Sequence, residues 1–158
     1  CSKYVDDIVT VTEDEIASAI LKLMECQKTV SEGAGAVSVA AVMFGKVPTE
    51  GKKTVCVVSG GNIDVTMLSR IITKGLSKSG RMCEITTKVM DKPGQLINLL
   101  QVVADTGANI IRVNHSREAK LSDVTNCVVT MVLETRNTEH VDEIEKALKV
   151  KGYELLEI

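Results

Sequence analysis

The period of apolar and polar positions changes along the chain, and the changes mark its organisation. Ile16, Ile20, Leu23 and Met24 recur at helical spacing while Glu25 and Lys28 keep to the other side, which predicts a helix to about Cys26. Thr12 and Glu15 frame its start as a capping box, the hydroxyl receiving one amide and the carboxylate reaching back to another. The segment SEGAGAVSVAAVMFG then carries Gly33 and Gly35 and is small or apolar on nearly every side from 36 to 44. A helix without a polar face is a buried one and needs neighbours on several sides.

Val55, Cys56, Val57 and Val58 form a continuous apolar run, the pattern of a parallel strand covered on both faces. Gly60 and Gly61 break it, and Asn62 or Asp64 can cap the next helix. Val65, Leu68, Ile71, Ile72 and Leu76 stripe that helix, with Arg70, Lys74 and Lys78 outside. The architecture is α/β with strands missing, since one buried strand, with 7–11 as its available partner, does not make a doubly wound sheet.

The small and charged run SKSGRM at 77–82 marks a boundary, and beyond it the period becomes two. Ile85, Thr87 and Val89 alternate with Glu84, Thr86 and Lys88 as a half-buried strand. Asp91, Pro93 and Gly94 turn it into a helix striped by Leu96, Leu99, Leu100 and Val103 and ended by Gly107. A strand over 109–115, a polar connection over 116–122 and a strand over 123–134 follow. Val141, Ile144 and Leu148 then mark a helix stopped by Gly152, and 153–158 is the last strand. This order predicts an α+β, ferredoxin-like βαββαβ domain, one antiparallel sheet with both helices on one face. On the third strand Val128 and Val132 stand opposite Cys127, Val129, Met131 and Leu133. Both sheet faces are therefore expected to be apolar, and the one without helices to take a partner subunit or domain.

Composition removes several function classes. The net charge is -2 and aromatic residues make up 2%, so no basic and aromatic footprint for nucleic acid exists. No apolar run is long enough for a membrane helix. The five cysteines form no C-x-x-C pair, which reads as reduced thiols in a cytosolic protein. His115 and His140 lie far apart without metal-ligand spacing, so no metal site is expected. Ser59 has no evident histidine partner and lies outside G-x-S-x-G. No lysine falls in a pocket that can be argued, so none is named for a Schiff base. The first residue is Cys rather than Met, which reads as a piece of a longer chain, with a processed leader as the alternative.

Two turns carry candidate chemistry. In MDKPGQL, at 90–96, Pro93 fixes a dihedral and Gly94 lets a backbone approach. The amides that open the helix can receive a carboxylate or the Asp91 side chain, so the turn is a small-molecule site or a plain capped turn. Asn109 of TGANI could bind an amino-acid backbone through its amide or simply belong to a helix-end turn. In VSGGNID, at 58–64, a hydroxyl and exposed amides follow an apolar run, a place where open sheets bind ligands. It is neither a dinucleotide fingerprint nor a Walker loop. Glu32, before the buried helix, faces a cofactor or caps.

Those same residues carry a resemblance. YVDDIVTVTEDEIASAI, VSEGAGAVSVAAV and VVSGGNIDVTMLSRII resemble the carboxyl-terminal portion of the catalytic domain of threonine ammonia-lyases, fold type II pyridoxal-phosphate enzymes. The stretch from Glu84, with DKPGQL and TGANI, resembles the ACT domain that follows it in single-ACT members of that family. The resemblance implies an incomplete lyase domain at 1–80 and an ACT regulatory domain at 83–158. It implies dehydration of threonine to 2-oxobutanoate and ammonia on pyridoxal phosphate, in isoleucine synthesis or threonine breakdown. Ser59 matches the family serine that hydrogen-bonds the pyridine nitrogen; Glu32, Gly33 and Gly60 match residues at the cofactor edge, with Asn62 behind them. The Schiff-base lysine, the substrate-cradling S-x-N turn and the phosphate loop have no match in this chain. By itself it is therefore expected to bind no cofactor and turn over no substrate, with its first half poorly packed, rearranged or shielded by another copy. For the ACT-like half the resemblance implies an amino-acid effector at a subunit interface, met by Asp91, Pro93, Gly94, Gln95, Leu96 and Asn109, and a homo-oligomer formed by ACT pairing. A stand-alone amino-acid sensor and a serine ammonia-lyase are the alternatives.

Overall fold

The computed structural model describes residues 3–118 and 124–156. Its backbone divides into two compact units, Cys1–Gly75 and Leu76–Ile158.

In the first unit, helices α1 (Glu13–Gln27) and α2 (Gly33–Met43) are followed by α3 (Val65–Lys78), whose last residues lie past Gly75 in the chain. The capping box forms as the sequence predicts: the Glu15 amide donates to Thr12 Oγ1 at 3.3 Å and the Thr12 amide to Glu15 Oε2 at 2.7 Å. Asp64 begins α3 in the same manner, its Oδ1 accepting from the amides of Thr66 and Met67 at 2.8 and 3.1 Å. Those two amides hold its carboxyl below the ordinary carboxylate range. Ala19, Ala36 and Ala40 are fully buried with Ile20 between α1 and α2, and Ile63, Leu68 and Ile71 pack around them. Small side chains at that seam let the two helices approach closely.

The expected strand at 55–58 does not form. Val55 and Val57 are 88% and 75% exposed, the stretch 7–11 is irregular as well, and no strand occurs among the described residues of this unit. A buried strand needs sheet neighbours to bond its backbone and side chains to cover both faces. Here 55–58 instead runs beside α2, where the Ser38 hydroxyl donates to the Val57 carbonyl at 2.8 Å. The expectation that α2 is buried on all sides is likewise met on one side only: Ala36, Ala40 and Ala41 are buried, while Val37, Met43 and Phe44 are exposed.

The second unit is a four-stranded antiparallel sheet in the order β2-β3-β1-β4. Its elements are β1 (Met82–Met90), α4 (Gln95–Asp105), β2 (Asn109–Ser116), β3 (Asn126–Glu134), α5 (Thr138–Val150) and β4 (Leu155–Leu156). The expected start of the third strand at Asp123 and end of the last at Ile158 lie outside the described residues. Ile85 and Val89 of β1, with Cys127, Val129, Met131 and Leu133 of β3, meet Leu99 and Val103 of α4 and Ile144 and Leu148 of α5 in one core. Both helices thus cover the same sheet face. His140 is buried at the start of α5 and ties it to the end of α4: Nδ1 accepts from the Arg136 amide at 3.2 Å, so Nε2 is the donor to the Thr106 carbonyl at 2.9 Å.

The opposite sheet face is not the apolar surface expected from β3 alone. Register places Glu84, Thr86 and Lys88 of β1 and Arg112 and Asn114 of β2 beside Val128, Thr130 and Val132. Thr86 and Thr130 share a hydroxyl hydrogen bond at 3.0 Å, and Arg112 reaches over Val132 to Glu84 at 3.6 Å. Strand β2 is an edge, and a bulge between Ile110 and Arg112 leaves Ile111 56% exposed.

Candidate functional site

In the first unit, α2 opens against the turn at 59–62. The Glu32 amide donates to the Gly60 carbonyl at 3.1 Å, and the buried Ser31 hydroxyl reaches the Glu32 and Ser59 carbonyls at 3.1 and 3.4 Å. The Glu32 carboxyl packs onto Gly60, where an added Cβ would sit 2.5 Å from it, and Gly35 lies so close to the Ser59 carbonyl that no side chain fits between them. Glu32, Gly33 and Asn62 line one cleft of about 710 Å³ with Asp14, Arg70 and Lys74. Ser59 and Gly60 touch this cluster through their backbones, and both are exposed. Lys74 reaches the same cleft, where the Asp14 carboxylate holds its ammonium.

In the second unit the β1–α4 turn follows from its residues. Gly94 occupies the left-handed region at φ 85° as the N-cap of α4, and no side chain caps that helix. Asp91 does not turn to the helix amides. Its amide donates to the Thr125 carbonyl at 2.9 Å, and its carboxylate takes the Arg117 guanidinium in both prongs, Nε at 2.6 Å and Nη2 at 3.1 Å. The guanidinium holds the Asp91 carboxyl below its usual range, and Arg117 is shifted up in return. Cys127 and His115 lie beside this pair, and a carboxylate oxygen of Asp91, a ring nitrogen of His115 and Cys127 Sγ all fall within 4.8 Å of one another. Burial, then the nearby Asp91 charge, pushes the Cys127 thiol up, and it donates to the Val89 carbonyl at 3.2 Å. Sequence spacing did not reveal this trio. It arises because register sets Cys127 against Val89 and His115 against Val129.

Asn109 is elsewhere. It opens β2 opposite Glu134, whose carboxylate accepts from its Nδ2 at 3.1 Å, whereas Met90 and the turn after it lie at the Asn126 end of β3. The length of β3 separates them, roughly 25 Å at the rise of a strand. Asp91, Pro93, Gly94, Gln95 and Leu96 are therefore one group, and Asn109 cannot join it within a single chain.

Comparison with known proteins gives the context for both places. The chain is 54% identical over 153 residues, 97% of its length, to an L-threonine ammonia-lyase of Thermotoga maritima. The chain is homologous to the L-threonine ammonia-lyases. It is 42% identical over 149 residues to the enzyme of that name from Geobacter sulfurreducens, and 48% identical over 71 residues to a catabolic L-threonine dehydratase of Escherichia coli. It spans 38% and 37% of the length of the first two relatives. No family model matches it.

Proposed function

We propose that this chain forms the carboxyl-terminal part of a threonine ammonia-lyase, with 1–80 contributing a portion of the catalytic domain and 83–158 acting as an ACT regulatory domain. The 54% identity to an L-threonine ammonia-lyase across 97% of the chain carries the proposal. The whole protein would convert threonine to 2-oxobutanoate and ammonia; bound pyridoxal phosphate supplies the electron sink for that chemistry. The residues here fit only one border of such a cofactor. Glu32, Gly33 and Asn62 share a cleft and Ser59 offers an exposed hydroxyl, but Lys74 is held by Asp14, and no phosphate cradle is matched in the sequence. The chain by itself is therefore proposed to be without lyase activity. The bare Val55 and Val57 and the half-covered α2 suit a unit whose sheet is completed by the remainder of such a protein.

The second unit is proposed to sense an amino acid at the junction of two copies. Two β2 edges paired antiparallel about a two-fold axis set Asn109 of one copy beside the Ser116 end of the other, next to its β1–α4 turn. The site then draws Asp91, Pro93, Gly94, Gln95 and Leu96 from one copy and Asn109 from its mate. The uncapped start of α4 suits a carboxylate, and the Asn109 amide suits the polar backbone of an amino acid. Calorimetric titration of the purified chain with isoleucine, valine, threonine and serine, with its mass measured in the same buffer, tests this. Saturable binding of one of them by a dimer or higher oligomer, lost in Asn109→Ala, is the expected result. A folded monomer, or a folded oligomer that binds none of them, refutes it.

A further inference from the structure

We propose that the turn closing β1 is a binding site for a borderline transition-metal dication of the Zn2+ type, held by a carboxylate oxygen of Asp91, a ring nitrogen of His115 and the thiolate of Cys127. The three donors come from the exit of β1, from β2 and from β3, and already lie within 4.8 Å of one another. Zinc bonds of about 2.0–2.3 Å set tetrahedral donors roughly 3.5 Å apart, so the site must tighten by about 1 Å. Asp91 and His115 are exposed and can supply that by side-chain rotation, while Cys127 is fixed in the core as the anchor. A mixed sulfur, nitrogen and oxygen set excludes Mg2+ and Ca2+, which take oxygen donors, and suits Zn2+ or Co2+. Three protein ligands leave a fourth position for water.

The groups around the trio show what binding must exchange. The Arg117 guanidinium occupies the Asp91 carboxylate in both prongs, so this point of the surface already holds a cation. The Cys127 S–H bonds the Val89 carbonyl. On binding, the S–H bond breaks, its proton leaves to solvent and a metal–sulfur bond forms. Asp91 trades Arg117 for the ion, and two anionic ligands balance the dication. The site stands apart from the proposed amino-acid effector except that it shares Asp91.

Titration of the whole chain with Co2+, read by its thiolate-to-cobalt charge-transfer absorption and back-titrated with Zn2+, tests the proposal. One equivalent should bind and be displaced by Zn2+. Cys127→Ser should abolish the band, and Cys26→Ser and Cys56→Ser should leave it unchanged. Because Cys127 is buried, the exposed His115→Ala is the second arm, with affinity expected to fall at least about tenfold. Arg117→Ala, which removes the competing cation, should tighten binding up to about fivefold. Absence of the band, its survival in Cys127→Ser, or an affinity unmoved by His115→Ala overturns the proposal. An affinity unmoved by Asp91→Ala removes Asp91 from the ligand set and overturns the proposal as stated.

Discussion

Two glycines of the second unit share a backbone conformation and differ in their surroundings, which makes the cost of a methyl group separable into two parts. Gly80 sits at φ 64° and Gly94 at φ 85°, both in the left-handed region that L side chains avoid. An alanine there costs about 1–2 kcal/mol for the backbone alone. At Gly94 nothing lies within 4 Å of the added Cβ, so that is the whole cost. At Gly80 the Cβ would fall 2.4 Å from the Thr138 amide nitrogen and 2.7 Å from Thr138 Cα. Both atoms belong to the first turn of α5, and Gly80 is pinned there, its carbonyl accepting the Thr135 hydroxyl at 2.6 Å. Neither side can yield without moving backbone, which adds overpacking of about 1–3 kcal/mol. Gly80→Ala should therefore lose about 2–5 kcal/mol against about 1–2 for Gly94→Ala. In a unit of this size each kcal/mol lowers the melting temperature by about 4–8 °C. Thermal unfolding of both variants, followed by circular dichroism, gives the comparison. Equal melting temperatures would refute the account, because the backbone term is common to both and only the contact with α5 distinguishes them.

Two further outcomes follow from local geometry. Thr12→Ala removes the hydroxyl half of the α1 capping box and should lower the stability of the first unit by about 1 kcal/mol in urea unfolding, with little change in the melting of the second. For the Asp91–Arg117 pair, the folded carboxyl is held below its unfolded value. Its contribution is present above the unfolded value of 3.8 and lost as pH falls through the lower folded one. Arg117→Ala should move the Asp91 carboxyl upward in an NMR titration, and an unmoved titration would show that the guanidinium is not its cause.

How far the sequence could be read depended on the range of the interaction. The Thr12 and Glu15 box needs residues three apart, and it forms as expected. The second unit's element order was equally legible, because each strand alternates and each helix stripe ends at a glycine, Gly107 and Gly152, with φ of 80° and 85°. The run at 55–58 failed for a physical reason. Four apolar residues report that a strand would be buried if a sheet were there to bury it, and the sheet is not a property of those four residues. The open sheet face failed similarly. Val128 and Val132 suggested an apolar surface, but two of the other strands contribute Glu84, Lys88, Arg112 and Asn114 to it. The trio of Asp91, His115 and Cys127 was present in the sequence only as three distant letters; strand register makes it a group.

The placement of Asn109 yields the sharpest test of the proposed regulatory site. Within one chain it lies at the opposite end of β3 from Asp91 and Gly94, so no single copy can use both. If effector binding requires both, every site must be made by two copies, and damage at the two ends must complement. Asp91→Ala and Asn109→Ala homodimers would each have two damaged sites. A mixed dimer has one site built from the intact Asp91 turn of one copy and the intact Asn109 of the other, and a second site damaged twice. Mixing the variants equally and allowing exchange makes about half of the dimers mixed, so binding should reappear at about a quarter of the wild-type stoichiometry. Recovery at that level with wild-type affinity is the expected calorimetric result. Two folded, exchanging variants whose mixture binds no more than either alone would show that Asn109 and the Asp91 turn do not share a site, and the antiparallel pairing of β2 edges would fall with it.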